Sequence, residues 1–457
     1  MFQYDSLTMA DFPVERLRGT LEDGTVCGVI KPAAWNGTLV LDLDGAMACA
    51  DGPMAAFGLP RTAMYLSLGY AYGGTTREPV SYRFPLAVDH LLAVRDEFSG
   101  RFGTPKHTLV TGGSRGGFVG RIAMEQRPDI FEGALVSAGG GGGEIAGLNS
   151  KLDGKFVLKT LVDPNGPLQL VGLDSRDAEE QRLLDLVALA DSTPLGQARL
   201  ALSGAIEQMP AWPSPMDPEP AADDWAAQYR MMRDCYAGAQ FTLGTYAIEQ
   251  LAGGVFSWNH DVDYADLLER CGRRDFVVAM YERAGVGMDG LRADLATLAA
   301  APRIHADPAA VAKAEKWLSY TGRISGPVLN MDNRGDQIDP APCKYAYRET
   351  LRRAGTEDFL RVVWVNSAGH GNFNVAEQAA ALTTLMRRVE TGEWGDTSPT
   401  AMNALANSIP LPEVKLPAPP PGMPVRPAAS NEPRFFDYDP GEAMHYWDSA
   451  DWDTYKG

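Results

Sequence analysis

One serine in this sequence lies in a setting typical of a nucleophile. Ser114 occupies the centre of Gly112-Gly113-Ser114-Arg115-Gly116-Gly117, which fits the pattern G-x-S-x-G between a predicted strand and a predicted helix. A serine on such a sharp turn needs neighbours almost without side chains, because strand and helix approach closely there. The helix start also directs amide donors at the serine oxygen, so the N–H of Arg115 is a candidate oxyanion donor. A glycine-rich turn without chemistry is the alternative.

A nucleophilic serine needs a base, and among the six histidines His370 has the most suitable position. It lies in a Gly-His-Gly loop directly after a late predicted strand. His90 and His107 fall within a helical and a strand pattern, so we interpret both as structural. His260 lies in a helical region and is a candidate for lining a pocket. We therefore predict His370 as the general base.

The base in turn needs an orienting carboxylate, and three aspartates follow the predicted strand at 327–331. Asp336 lies in the loop beyond the carboxyl end of that strand, where open α/β sheets bind their ligands. Asp332, nearer the strand end, and Asp339, before a proline, are competitors. The chain order Ser114, Asp336, His370 is the order of a catalytic serine, acid and histidine in folds whose nucleophile lies at a turn between a strand and a helix.

The elements around these residues alternate between strand-like and helix-like patterns, which predicts a parallel sheet with helices on both faces. This α/β pattern stops near residue 144, gives way to helical stretches, and returns near residue 326. The long gap between Ser114 and Asp336 therefore contains an insertion. The predicted units are a first core part at 1–144, a helical cap at 145–325, a second core part at 326–400 and a proline-rich, aromatic tail at 401–457.

Two unusual segments adjoin these units. The five consecutive glycines at 139–143 stand at the entry to the cap, and we predict a flexible hinge there. The tail combines Pro417-Ala418-Pro419-Pro420-Pro421 with aromatic residues near its end. We predict that these aromatic residues pack onto the body of the protein or onto the second subunit of a homodimer. They are Phe435, Phe436, Tyr438, Tyr446, Trp447 and Trp452.

Composition excludes several classes of function. The 41 basic and 59 acidic residues give a net charge of −18, which repels nucleic acid and anionic membrane surfaces. Five scattered cysteines form no C-x-x-C pair, and neither H-E-x-x-H nor a nucleotide-binding glycine motif occurs, so we expect no metal and no cofactor. The N-terminal residues lack a signal-peptide pattern, and a cytoplasmic location is expected.

The glycine-flanked serine, the acid after a late strand and the Gly-His-Gly loop together resemble the α/β-hydrolase superfamily. The resemblance covers about 25–144 and 325–392, with a helical cap between. It implies an α/β-hydrolase fold, with Ser114 as nucleophile, His370 as base and then acid, and Asp336 as orienting acid. It also implies a second oxyanion donor in an early loop, here Gly45 or Ala46. Substrate contacts are expected from Asp44, Trp258 and His260.

The function expected from this resemblance is that of a serine hydrolase cleaving a carboxylic ester or lactone of a small, largely apolar substrate. An amidase or peptidase is the alternative, in which Glu144, Asp261 or Asp263 recognises an amine. A binding or non-hydrolytic use of the fold is a third possibility. Large apolar residues of the cap are candidates for the pocket or for the cap's own core: Trp212, Trp225, Tyr229, Met231, Met232, Phe241, Phe256 and Trp258.

Overall fold

A single ten-stranded sheet organises the chain. The computed structural model describes residues 2–9, 12–49, 59–78, 80–413 and 432–442. Within them the strand order is β1-β2-β3-β5-β4-β6-β7-β8-β9-β10, parallel from β5 to β9 and antiparallel towards both edges. The strands are β1 (Gln3–Met9), β2 (Phe12–Thr20), β3 (Val26–Pro32), β4 (Thr38–Asp42), β5 (Ala71–Thr75), β6 (His107–Gly113), β7 (Gly133–Ser137), β8 (Val328–Gly335), β9 (Leu360–Ala368) and β10 (Phe435–Phe436).

Helices cover both faces of this sheet, as the alternating pattern predicts. The central strands β4 and β5 are buried along their whole length, which is typical of parallel strands covered on two sides. One face packs against α2 (Phe84–Phe102), α3 (Arg115–Gln126) and α13 (Ala341–Ala354). The other packs against α1 (Leu59–Ser67), α14 (Val375–Thr391) and α15 (Pro399–Ser408). The sequence analysis did not predict the antiparallel strands β1 to β3.

Nine helices lie between β7 and β8, a stretch that is described throughout. Many of them share a separate apolar core, which includes Phe156, Leu183 and Tyr281. Pro194 separates two of these helices, because it starts a new helix whose preceding residue, Thr193, accepts a hydrogen bond from the N–H of Gly196. The helices are α4 (Glu144–Val162), α5 (Arg176–Asp191), α6 (Pro194–Ile206), α7 (Trp225–Ala239), α8 (Thr242–Ala252), α9 (Tyr264–Arg270), α10 (Arg274–Arg283), α11 (Gly287–Ala300) and α12 (Pro308–Leu318).

The five-glycine segment, for which a flexible hinge was predicted, is packed into the body of the protein. Four of its residues are buried, and the Arg121 guanidinium donates hydrogen bonds to the carbonyl oxygens of Gly139 and Gly140. A Cβ added at Gly141 would lie 2.4 Å from the carbonyl oxygen of Cys343. Gly141 is therefore required by close packing against the start of α13.

The described part of the tail packs against the body. Phe435 and Phe436 form β10, which pairs with β9, and the ring of Tyr438 lies 5.2 Å from that of Trp364. The proline-rich run at 417–421 and the aromatic residues Tyr446, Trp447 and Trp452 lie outside the described residues. Among the helices described, none combines the length and the apolar character that crossing a bilayer demands.

Candidate active site

Ser114 lies at the turn between β6 and α3 with a strained backbone. Its φ of 54° and ψ of −122° place a non-glycine residue at positive φ, which is costly unless the surroundings hold it. Two backbone hydrogen bonds do so: the Ser114 N–H donates to the carbonyl of Ser137 at 2.9 Å, and the Gly117 N–H donates to the carbonyl of Ser114 at 2.8 Å. Such local strain is typical of functional sites.

Two of the four surrounding glycines are required by the packing of this turn. A Cβ on Gly112 would lie 2.3 Å from the carbonyl carbon of Gly116, and one on Gly117 would lie 2.8 Å from Val136 Cγ1. Gly113 and Gly116 have room, because their nearest contacts would be 3.7 and 3.5 Å. The sequence analysis attributed the close approach to all four glycines, and the structure restricts it to Gly112 and Gly117.

Asp336 and His370 form a hydrogen-bonded pair at the carboxyl edge of the same sheet. His370 Nδ1 lies 2.9 Å from both carboxylate oxygens of Asp336. The backbone N–H groups of Ile338 and Asp339 each donate to Asp336 Oδ1 at 3.0 Å. Of the three candidate aspartates, Asp336 is therefore the one bonded to the histidine.

A buried lysine also contacts this carboxylate, and the sequence analysis missed it. Lys344 Nζ, on α13, lies 2.7 Å from Asp336 Oδ2 and 3.5 Å from Asp332 Oδ1, and all three side chains are fully buried. Burial alone would raise the pKa of Asp336, but His370 and Lys344 outweigh it and hold that pKa well below its usual range. Asp336 is therefore ionised at any ordinary pH.

The second ring nitrogen of His370 is free to act on another group. Nε2 is buried and has no hydrogen-bond partner among the residues described. Burial tends to lower the pKa of His370, but Asp336 reverses the effect and the net shift is upward. Because β6, β8 and β9 lie within four consecutive strands, their loops bring Ser114, Asp336 and His370 to one edge of the sheet.

A small cavity opens beside Ser114, beneath α4 and the start of α8. Its volume is about 20 Å³, room for about one water molecule, so a substrate must displace part of its wall. The apolar lining comes from Phe118, Leu148, Phe241 and Ile338, and the charged lining from Arg115, Glu144, Lys151 and Asp339. Phe241 and Glu144 were candidates from the sequence, whereas Phe118, Leu148, Lys151 and Ile338 were not, since nothing local distinguishes them.

The proposed second oxyanion loop is tightly packed. A Cβ on Gly45 would lie 1.9 Å from the carbonyl oxygen of Gly73, so only glycine fits at this position. Arg77 holds the Asp44 carboxylate through two hydrogen bonds of 2.8 and 2.7 Å, and the contact of Asp44 with substrate stays a prediction. The oxyanion roles of Gly45, Ala46 and the Arg115 N–H stay predictions.

Trp258 and His260 do not line the cavity beside Ser114. Trp258 belongs to the apolar core under the sheet, and its backbone N–H donates to Asn149 Oδ1 at 3.1 Å. His260 Nε2 lies 2.7 Å from Asp261 Oδ2, and its ring stacks on His305 at 5.1 Å. The substrate contacts of these two residues stay predictions.

One group of potential metal ligands occurs within the described residues. Ligand atoms of Asp336, Asp339 and His370 lie within 4.8 Å of one another. Asp336 is already bonded to His370 Nδ1 and to the Lys344 ammonium, whose positive charge disfavours a second cation. The donor set suits a proton-transfer pair better than a metal centre.

Comparison with known proteins identifies one similar curated protein. The chain is 30% identical over 426 residues to the o-phthalyl amidase of Xanthobacter agilis, and the match covers 85% of this chain and 90% of that protein. No family model matches. Among solved structures, feruloyl esterase B of Aspergillus oryzae is 14% identical with a TM-score of 0.38, covering 86% of this chain and 87% of the esterase. Candida antarctica lipase A in its closed state is 11% identical with a TM-score of 0.38, covering 89% of each chain.

Proposed function

Because the chain belongs to the α/β-hydrolase superfamily and is a hydrolase, we propose that it cleaves carboxylic amides through an acyl-enzyme formed on Ser114. The observation that carries the acyl-enzyme is the Asp336–His370 pair, which lies at the same edge of the sheet as the strained serine turn. The amide preference comes from the o-phthalyl amidase, which covers most of the chain. Together these features favour the amidase alternative over the ester hydrolysis expected first.

The proposed reaction begins with proton transfer from Ser114 Oγ to His370 Nε2. As Oγ bonds to the amide carbon, the backbone N–H of Arg115 and an N–H of the Gly45–Ala46 loop stabilise the oxyanion. The carbon–nitrogen bond then breaks, and the imidazolium gives its proton to the departing amine. Water, deprotonated by the same nitrogen, cleaves the ester to Ser114 and releases the acid.

Asp336 has two tasks in this mechanism. By accepting from His370 Nδ1–H it fixes the tautomer that leaves Nε2 free to accept the serine proton. Its negative charge also stabilises the imidazolium, which accounts for the upward shift of the His370 pKa. The bound Lys344 keeps Asp336 itself ionised throughout the cycle.

Ester hydrolysis is the second candidate, because the same acyl-enzyme forms more readily when the leaving group is an alcohol. The hydrolytic relative argues against the third possibility, a binding or non-hydrolytic use of the fold. The p-nitroanilide and the p-nitrophenyl ester of one aromatic acid separate the two candidates, since they differ only in the bond cleaved.

We expect wild-type protein to hydrolyse both compounds and Ser114→Ala to hydrolyse neither. Ser192→Ala is the matched control, because Ser192 is an exposed serine at the end of α5. Cleavage of the ester alone would replace the amidase proposal by the ester candidate. Turnover of either compound by Ser114→Ala at the wild-type rate would refute the acyl-enzyme.

A further inference from the structure

The cavity beside Ser114 contains a buried cation without an acidic partner among the described residues. The guanidinium of Arg115 lies 4.2 Å above the ring of Tyr82, and Nη2 donates to the Tyr82 hydroxyl at 3.0 Å. Nε is buried and has no hydrogen-bond partner in the part of the chain that is described. Buried charges are normally paired with an opposite charge, so the buried Arg115 guanidinium can still bind an anion.

Glu144 supplies the second polar wall of the cavity, yet it does not satisfy Arg115. It is the first residue of α4 and is buried, and its carboxyl group makes no hydrogen bond or ion pair with any described residue. Burial, helped by the neighbouring Asp339, raises the pKa of Glu144 to about 8. At neutral pH its carboxyl group is therefore protonated and can donate a hydrogen bond to an anion.

The other charged groups near Glu144 leave Arg115 as the available cation. Lys151 lines the cavity, but its Nζ lies 3.8 Å from the buried carboxylate of Glu207. Arg77 is bound by Asp44. The titratable and charged groups that face Glu144 are Arg77, Tyr82, Arg115, Tyr320, Asp339 and His370.

Apart from Lys151 and Asp339, most of the remaining lining is apolar, which suits a planar acyl group. Phe118, Leu148, Phe241 and Ile338 line the same cavity as the nucleophile and the two polar side chains. Ser114 and Arg115 line the same small cavity, so an anion bound by the guanidinium would share this cavity with the acyl group on Ser114. Apolar walls around one or two convergent polar groups are typical of a small-molecule subsite.

We propose that Arg115 and Glu144 form a subsite for a carboxylate carried by the acyl part of the substrate. This inference rests on the proposed function and names its substrate class as amides of aromatic acids that bear a second carboxylate. The guanidinium supplies the charge and the Glu144 carboxyl group supplies a hydrogen bond. The subsite thus selects the acyl group, whereas Ser114, Asp336 and His370 perform the chemistry.

The test uses two anilides with the same leaving group, the p-nitroanilides of 2-carboxybenzoic acid and of benzoic acid. The readout is the ratio of their kcat/KM values, which cancels any general loss of activity. We expect wild-type protein to prefer the carboxylate compound, and Arg115→Met to lower the ratio about 10- to 100-fold, as for loss of a hydrogen bond to a charged group. Arg115→Lys, which keeps the charge, should retain part of the preference.

The pH dependence gives a second, independent readout. The wild-type ratio should fall as pH rises through about 8, because ionised Glu144 repels the substrate carboxylate. Glu144→Gln should abolish this fall, since an amide does not ionise. If Arg115→Met does not fold, this comparison decides the proposal.

An unchanged ratio in folded Arg115→Met, or an unchanged pH dependence in Glu144→Gln, overturns the subsite. In that case loss of both activities in Ser114→Ala still upholds the acyl-enzyme. Turnover by Ser114→Ala would instead overturn the proposed function itself, so the two failures are distinguishable.

Discussion

Replacing Lys344 with methionine removes the one cation that contacts both Asp332 and Asp336 within the described residues. At an effective dielectric constant of about 20, the attractions over 2.7 and 3.5 Å amount to about 6 and about 5 kcal/mol before desolvation. Desolvation of the buried charges offsets much of this. Removing the Lys344 ammonium from these two buried ion pairs should therefore lower the free energy of unfolding by about 3–5 kcal/mol.

The structure indicates which carboxylate bears most of this cost. Asp336 keeps three donors: His370 Nδ1 and the N–H groups of Ile338 and Asp339. Asp332 keeps none in the described part of the chain, since neither of its oxygens accepts a hydrogen bond. The double variant Lys344→Met/Asp332→Asn should therefore be more stable than Lys344→Met, by about 2 kcal/mol.

The same substitution should change the pH dependence of catalysis. Lys344 lowers the pKa of His370, although Asp336 outweighs it, so loss of the cation raises that pKa further. Because the base acts only when neutral, the acid limb of the kcat/KM profile should move to higher pH. The shift should persist in the double variant, since Asp332→Asn does not restore the cation.

Urea unfolding and a pH–rate profile measure the two effects separately. Lys155→Met is the matched control, because Lys155 is a buried lysine of α4 whose carboxylate neighbours are Glu207 and Glu249. It should destabilise the protein without moving the acid limb. An unmoved limb in Lys344→Met, an equal shift in the control, or no recovery in the double variant would refute this account of Lys344.

Three further outcomes follow from the geometry of the site. Gly117→Ala should lower the free energy of unfolding by about 1–3 kcal/mol, because its Cβ would lie 2.8 Å from Val136. Gly113→Ala should instead unfold near the wild-type urea concentration, because its Cβ has room. Equal destabilisation by the two substitutions would contradict the assigned packing. Phe241 has a φ of 50°, so Phe241→Gly should relieve backbone strain and enlarge the cavity. The kcat/KM of benzoyl substrates should therefore rise relative to that of acetyl substrates. An unchanged ratio of these two values would exclude Phe241 as the residue that limits the size of the acyl group. The acid limb of the wild-type kcat/KM profile should lie above pH 6.5, the ordinary histidine pKa, because Asp336 raises the pKa of His370; a limb below 6.5 would contradict this.

The parts of the site that the sequence predicts are those that depend on short segments. The turn at Ser114 needs glycines within a few residues, and Asp336 and His370 each follow an apolar strand by only a few positions. Local spacing is sufficient for such residues. It is insufficient for Lys344, because a lysine near the start of a helix ordinarily faces solvent. Its burial becomes evident only when the sheet places Asp332 and Asp336 beside α13.

The strands of the fold also divide into those that the local sequence predicts and those that it does not. Central parallel strands such as β4 are buried on both faces and therefore have a continuous apolar pattern. Strand β2 lacks this pattern because it is only partly buried and includes Glu15 and Arg16, which pair across the sheet with Lys31 and Asp5 at 2.6 and 2.8 Å. Those pairs exist only once the strands are aligned, so a strand-by-strand analysis does not detect them.

The most direct test of the acyl-enzyme is to identify the residue that carries the acyl group. Wild-type protein is mixed with the p-nitrophenyl ester of an aromatic acid, quenched in acid during the steady state, digested and analysed by mass spectrometry. The proposed mechanism predicts the acyl group on Ser114, and no adduct when His370→Ala is treated in the same way. Continued turnover with Ser114 unmodified, or with the acyl group on another residue, would contradict the mechanism.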